Sequence, residues 1–279
     1  MIKAIFFDID GTLLSSRGEV LESTKKAIQQ ARAKGIFVGV ATGRGPVKIT
    51  ELLNDLPLDM YVTYNGQLVY TKEETIHAQA FQQETLRQIV HYADIHSRQI
   101  MFGARDQIDG SRTMMLSQSM AGKKMIRFLP RHFPVAILKQ TLQKLSFYKS
   151  KNHYKKMAIL KQPIYQCMML SVQGETEKLI QQFTMCDFQR SNPYSVDIVP
   201  KGGSKIRGIH AFLEHHGIAV SESMAFGDHM NDIEMLQGVG VGIAMGNAQP
   251  IVKETAVYVT DTNNQDGIAK ALRHYQVIE

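Results

Sequence analysis

The sequence predicts an α/β protein: a doubly wound parallel-sheet (Rossmann-like) core with an inserted α+β cap domain. Three observations point there. Apolar runs rich in β-branched and aromatic residues end abruptly in small polar turns, amphipathic segments alternate with those runs, and the alternation breaks over residues 83–191 before resuming. A chain of 279 residues exceeds one average domain and falls short of two large ones, which suits a core carrying a smaller insertion. With 44% hydrophobic and 21% charged residues, it has the composition of an ordinary globular protein rather than a disordered or fibrous one.

Ile2 to Asp8 is a continuous apolar run meeting polar Asp-Gly-Thr, the pattern of a buried strand with an exposed carboxyl end. Leu21 to Lys34 spaces its apolar and small residues for an amphipathic helix, with Gly35 as the cap. Ile36 to Ala41 repeats the buried-strand pattern, and after Thr42-Gly43-Arg44 a helix opens near Pro46. Met60 to Tyr64 is a further strand, which Gln67 to Tyr70 is expected to join as a hairpin across Asn65-Gly66. This βαβα alternation places ligands beyond the carboxyl ends of the strands.

From Gln83 the texture becomes basic and Met-rich. A helix to about Ser97 is followed by short strands near Gln99–Phe102, Lys156–Leu160 and Cys167–Val172, a helix at Glu175–Phe183, and strands near Asp187–Ser191 and Ser195–Val199. Core texture returns with a helix from Ser204 to His216 stopped by Gly217, a strand Ser223–Phe226, a helix from about Asn231, an apolar run Val239–Ala244 and a last helix over Asp266–His274. The expected domains are a discontinuous core of residues 1–82 and 192–279 and an inserted cap of residues 83–191. No repeat or low-complexity tract is visible.

The formal net charge of +6 is unevenly spread. Gln83 to Arg190 holds 17 Lys and Arg against 7 Asp and Glu, a net of +10, and the remainder holds 15 against 19, a net of −4. A basic module over an acidic, metal-binding core would attract anionic ligands, and a solvated basic face is the alternative reading. Two cysteines, Cys167 and Cys186, lack metal-ligand spacing and are too few for a disulfide framework, so a reducing cytoplasm is expected. The short apolar run at the amino terminus meets two carboxylates at once, which fits a buried strand and neither a signal peptide nor a spanning helix.

Asp8 and Asp10 flank Ile9 at a strand end, with Gly11 and Thr12 giving room and hydrogen bonding. One carboxylate can attack phosphorus while the other gives a proton to the leaving oxygen and later takes one from water. A plain Asp-Gly turn after a buried strand is the structural alternative. Phosphate dianions are repelled by bare carboxylates, so the chemistry calls for a hard cation with oxygen ligands, for which Mg²⁺ is suited. Gly227-Asp228-His229-Met230-Asn231-Asp232 supplies further carboxylates after another apolar strand, with Asp232 one helical turn past Asp228. Alone, that segment also reads as a helix cap with an exposed acid. Thr42 with Gly43, at a helix entrance, and Lys205, after Gly202-Gly203-Ser204, are suited to hold the phosphoryl group.

DIDGTLL, ATGR, PKGGSK and GDHMND, in that order, resemble the four motifs of haloacid dehalogenase-like phosphatases, and most closely those of Cof-type members with a large cap between the second and third motifs. Val62–Gly66, Val241–Ala248 and Val259–Asp261 through Asp266-Gly267 extend the resemblance over nearly the whole core. The resemblance implies that Asp8 is the nucleophile and a Mg²⁺ ligand, and that Asp10 is the acid/base and ligates through its backbone carbonyl. It implies that Thr42 and Lys205 hold phosphate, that Asp228 ligates the metal directly, and that Asp232 supports the metal shell. Asn231 would lie beside the phosphate with the backbone amides of Ile9 and Gly43, and Arg44 and Asn65 would line the entrance.

Departures from the family pattern are small: His229 and Tyr64 where smaller residues are common, and Gly203 where Val is frequent. None removes a reacting group, and imidazole is a poor partner for Mg²⁺, which favours a positional role for His229. In the cap, Met114, Met115, Met120 and Met125 read as core packing, while Arg105, Arg112, Lys123, Lys124 and Arg127 could steer phosphates. The expected activity is Mg²⁺-dependent hydrolysis of a small phosphomonoester (a sugar phosphate, a nucleotide-like phosphate or a phosphorylated cofactor) by a monomer or homodimer, with no nucleic acid or membrane partner. A phosphomutase sharing the aspartyl-phosphate is the nearest rival. A nucleic-acid-binding protein using the basic cap is the rival from another class, although no aromatic residues interleave with the charges. A catalytically silent sensor is disfavoured because the reacting groups remain.

Overall fold

Strands that are apolar on both faces must be covered on both faces, and the central sheet of this protein is. The computed structural model describes residues 1–53, 55–118, 153–192 and 194–279. Two compact units divide the chain: Met1–Gln79 with Gly202–Glu279, and Ala80–Lys201.

The first unit opens with β1 (Ala4–Phe7), α1 (Glu22–Ala33), β2 (Phe37–Ala41), α2 (Pro46–Leu53), β3 (Met60–Thr63), β4 (Leu68–Tyr70) and β5 (Thr75–Ala78). The chain then builds the second unit from α3 (Gln83–Ile95), β6 (Ile100–Gly103), β7 (Ile108–Gly110), α4 (Arg112–Gln118), β8 (Gln166–Leu170), α5 (Thr176–Gln182), β9 (Cys186–Asn192) and β10 (Ser195–Pro200). It returns to the first unit with α6 (Lys205–His215), β11 (Ser223–Gly227), α7 (Ile233–Gly238), β12 (Val241–Ala244), α8 (Pro250–Thr255), β13 (Tyr258–Val259) and α9 (Gly267–His274).

The eight-stranded sheet has the order β13-β12-β11-β1-β2-β3-β4-β5, parallel from β13 to β3, with β4 and β5 antiparallel at one edge. Alternate residues of each strand feed two cores. Ile5, Phe7, Val38 and Val40 pack with Ala27, Ile28 and Ala31 of α1 and with Ile268 and Leu272 of α9. Ala4, Phe6 and Val62 pack with Ile209 and Phe212 of α6 and with Met235 of α7 on the other face. Helices therefore cover both sides, as doubly winding requires. From β1 the chain moves to β2 and β3 on one side and returns to β11 and β12 on the other. The strand order thus reverses between β1 and β11, and the crevice beyond such a reversal is where open α/β sheets collect ligands.

The second unit is a five-stranded antiparallel sheet, β7-β6-β8-β10-β9. One face packs Ile100, Phe102, Cys167, Met169, Val196 and Ile198 against Leu86, Ile89, Val90 and Ala93 of α3 and Leu179 of α5. Both cysteines are buried free thiols. No helix among the described residues is long and apolar enough to cross a membrane.

Several sequence expectations are corrected. Lys156–Leu160 is not a strand: 3₁₀ turns occupy Tyr154–Lys156 and Ala158–Lys161. Its short apolar run carries no period that separates strand from turn, and Pro163 bars a ladder hydrogen bond just beyond. The hairpin turn is longer than Asn65-Gly66, because the β3–β4 register closes at Thr63↔Leu68 over a 3₁₀ turn at Tyr64–Gly66. Five short elements, β5, β7, α4, α8 and β13, had no clear pattern in the sequence. Met114 is buried, whereas Met115, Arg105 and Arg112 are exposed. Met120, Lys123, Lys124, Met125 and Arg127 lie outside the described residues.

Asp197 is half-buried on β10, on the face opposite Val196 and Ile198, and burial pushes its carboxyl up from 3.8 to about 7. The folded state then binds this proton more tightly than the unfolded chain does. Its neutral form gives full stability below 3.8, and that stability is lost as pH rises through about 7. Asp197→Asn should therefore raise the melting temperature at slightly alkaline pH, and the gain over wild type should fade on acidification. A pH series of thermal melts checks this, and a gain that does not depend on pH counts against it.

Candidate active site

Three residues stand one position past the carboxyl ends of adjacent parallel strands: Asp8 after β1, Thr42 after β2 and Asp228 after β11. The registers Phe7↔Val40 and Phe7↔Phe226 bring these ends side by side. The reversal of strand order therefore carries a carboxylate on each side of its crevice.

Lys205 reaches them from the first turn of α6, whose approach depends on Gly208. A Cβ there would lie 2.6 Å from Cγ1 of Val62 and 2.9 Å from Cα of Gly66. Only 2% exposed, Lys205 donates from Nζ to Oδ1 of Asp8 and to Oδ1 of Asp232, each at 2.6 Å. Asp232 is fully buried, and its Oδ2 accepts the backbone N–H groups of Asp228 and His229, each at 3.0 Å. Asp228 accepts from the Thr12 hydroxyl at 3.0 Å. Gly11, at φ +84°, leaves space that a side chain would take from the Asp228 carboxylate.

Asp8, Asp228 and Asp232 each bring a carboxylate oxygen within 4.8 Å of the others. Burial raises Asp8 from 3.8 to about 7, with Lys205 pulling down and Asp232 pushing up. Burial also raises Asp228 to about 6, aided by Asp232 and opposed by the Thr12 hydrogen bond. Burial works against the Lys205 charge, but Asp232 and Asp8 outweigh it and raise its pKa. If all three carboxylates are ionised, one ammonium against them leaves two negative charges in a largely buried cluster. That donor set fits a hard divalent cation. Asp8 and Asp228 each keep one carboxylate oxygen with no hydrogen bond among the described residues, whereas both oxygens of Asp232 are engaged.

Around this cluster, Thr42 is buried, and its hydroxyl accepts the backbone N–H of Arg44 at 3.1 Å. Asn65 packs beside Gly43 and donates its backbone N–H to the Thr42 carbonyl at 3.0 Å. Its side-chain Oδ1 is buried without a partner among the described residues, and its backbone is left-handed at φ 54°. Ile9 is buried, and Asn231 lies in the 3₁₀ turn that leads into Asp232. Asp10 is set apart from the buried acids. Its carboxylate takes a two-pronged ion pair from Arg44, with Nε at 2.6 Å and Nη2 at 2.7 Å, and its side chain is 59% exposed.

The Arg44–Asp10 fork and the Thr12–Asp228 bond went unforeseen in the sequence, although both join segments that had been singled out. Strand adjacency was the missing signal, since neither pair is close in the chain.

The sequence pattern of haloacid dehalogenase-like hydrolases matches residues 5–272. YkrA of Bacillus subtilis (strain 168) is 31% identical over 277 residues, covering 99% of each chain. A 5-amino-6-(5-phospho-D-ribitylamino)uracil phosphatase, YcsE of the same organism, is 30% identical over 98% of this chain and 96% of its own. The solved structure of the HAD subclass IIB sugar phosphatase BT4131 superimposes with a TM-score of 0.76 at 29% identity, covering 99% of this chain and all of that one.

Replacing Lys205 by Met would leave two buried carboxylates facing one another without their shared counter-charge. A loss of about 3–5 kcal/mol in unfolding free energy is expected for breaking a buried pair from one side. Denaturant titration in the presence of EDTA reads it, and a loss below about 1 kcal/mol would show that the lysine does not stabilise these acids.

Proposed function

This chain belongs to the haloacid dehalogenase-like hydrolase family and is a phosphoric monoester hydrolase, and on that premise we propose that it hydrolyses a small organic phosphomonoester through an aspartyl-phosphate on Asp8, with Mg²⁺ as its cation. The observation that carries the reading is the buried Asp8 carboxylate, hydrogen-bonded to Lys205 at 2.6 Å and clustered with Asp228 and Asp232.

Asp228, with a carboxylate oxygen to spare, would hold Mg²⁺ together with Asp8 and the backbone carbonyl of Asp10, and the ion when bound would offset the charge of the phosphate. Asp232 would support that shell from behind, held by Lys205 and two backbone amides. Lys205 fixes Oδ1 of Asp8, which leaves Oδ2 to attack. As the new Oδ2–P bond forms, the ester P–O bond breaks and Asp10, protonated and released from the Arg44 fork, delivers its proton to the departing oxygen. Water then attacks the same phosphorus, giving its proton to Asp10, and the Asp8–phosphate bond breaks to release inorganic phosphate. Thr42, Lys205, Asn231 and the backbone amides of Ile9 and Gly43 would hold the phosphoryl oxygens, and Arg44 and Asn65 would line the entrance.

YcsE is named for a phosphorylated ribitylamino compound and BT4131 for sugar phosphates. Those relatives favour a substrate whose leaving group is an aliphatic alcohol, carried by a small molecule rather than a nucleic acid.

Purified protein screened with Mg²⁺ against phosphorylated metabolites should release inorganic phosphate, and EDTA should stop it. Asp8→Asn should reduce turnover to background, and quenched wild-type protein should carry one phosphoryl group on Asp8 by mass spectrometry. Full activity in Asp8→Asn would reject this nucleophile, and transfer to a second hydroxyl without phosphate release would indicate a mutase.

A further inference from the structure

Two stretches that resemble the family pattern, Val241–Ala248 and Val259–Asp261 onward, supply no group to the chemistry above. Both end beside the loop that carries Asp10. Asn247 donates from Nδ2 to the carbonyl oxygen of Gly11 at 2.8 Å, across 236 positions of sequence. Its Oδ1 accepts the backbone N–H of Asn263 at 2.9 Å, and Asn263 donates from its own Nδ2 to the carbonyl of Leu14 at 2.7 Å. The amide orientation of Asn247 is fixed from both ends, because a carbonyl can only accept and a backbone N–H can only donate.

The need for such a clasp follows from Gly11. Its positive φ and the crowding by Asp228 demand glycine, yet glycine leaves the backbone next to Asp10 freer than a residue with a Cβ would. Within the loop, the Leu14 N–H to Ile9 carbonyl bond at 2.9 Å and the Leu13 N–H to Asp8 carbonyl bond at 3.2 Å close the turn. Neither engages the Gly11 carbonyl. Arg44 grips the Asp10 carboxylate, but an exposed arginine fork restrains a side chain better than it restrains the backbone beneath. Asn247 supplies that backbone restraint.

We propose that Asn247, backed by Asn263, is a positioning residue that holds the Asp10 loop in register so that Asp10 protonates the leaving oxygen; this rests on the phosphatase reading above. Neither asparagine touches the reacting atoms. Their effect should therefore scale with how much the leaving group needs a proton. An alkoxide needs one as it departs, whereas p-nitrophenolate leaves as a stable anion.

The test compares kcat/KM, which reports events up to loss of the leaving group, for an alkyl phosphate and for p-nitrophenyl phosphate with Mg²⁺ present. In Asn247→Ala the alkyl value should fall about 10-fold further than the aryl value, part of the full worth of general acid catalysis. Asn247→Asp, which sets an acceptor against the Gly11 carbonyl, should show the same selective loss, and Asn263→Ala a smaller loss in the same direction. Thermal melts monitor folding, and Asn263→Ala decides the matter should either Asn247 variant not fold. An equal fall for both substrates, or none for either, overturns the clasp. A wild-type protein that hydrolyses neither substrate class, and no other phosphomonoester, strikes the phosphatase reading instead.

Discussion

The site is organised around one ammonium group. Lys205 sits between Asp8 and Asp232 with almost no access to water, and Asp228 completes a cluster that a water-poor environment would not tolerate unpaired. Removing the lysine leaves the acids uncompensated, so lysine and acids form one electrostatic unit rather than separate functional residues. The excess of acids over the single ammonium gives the unit a donor set that fits a divalent cation.

The fold delivers this unit through topology. Asp8 and Asp228 are 220 positions apart in sequence, yet they follow β1 and β11, the neighbouring parallel strands where the winding direction reverses. Lys205 enters from α6, which can press against the β3–β4 turn because Gly208 has no side chain to hold it off. The same packing fixes Asn65 in its left-handed conformation next to Gly43. Helix packing, sheet register and site geometry are thus one set of constraints.

Much of the core was legible in sequence because its signals are redundant. A strand such as Ala4–Phe7 is apolar at every position, ends at a carboxylate-bearing turn and is followed by an amphipathic helix, so three local cues agree. The short elements lack that redundancy. Tyr258–Val259 is two residues long, and its strand character comes from pairing with Ile243 and Ala244 rather than from any pattern of its own. The run before Lys161 failed for the reverse reason, being apolar without the alternation that distinguishes a strand from a turn. In the site, residue types and motif order pointed to the acids and the lysine. The pairing of Arg44 with Asp10, and of Asn247 with the Gly11 carbonyl, depends on which loop tips meet in space, and no local pattern encodes that.

Asp8 and Asp10 are two positions apart and live in opposite environments, which is the physical basis for assigning them different work. Asp8 is buried, and a lysine takes one of its oxygens, so its remaining oxygen has a defined direction, as an attacking group requires. Asp10 faces water, and a guanidinium rather than an apolar wall holds it, so it can meet a departing oxygen and then an incoming water molecule. The residue between them, Ile9, is fully buried. Exchanging the two environments would leave a nucleophile without direction and an acid that could not reach solvent. The division of labour proposed for them thus rests on the burial of one residue and the exposure of the other.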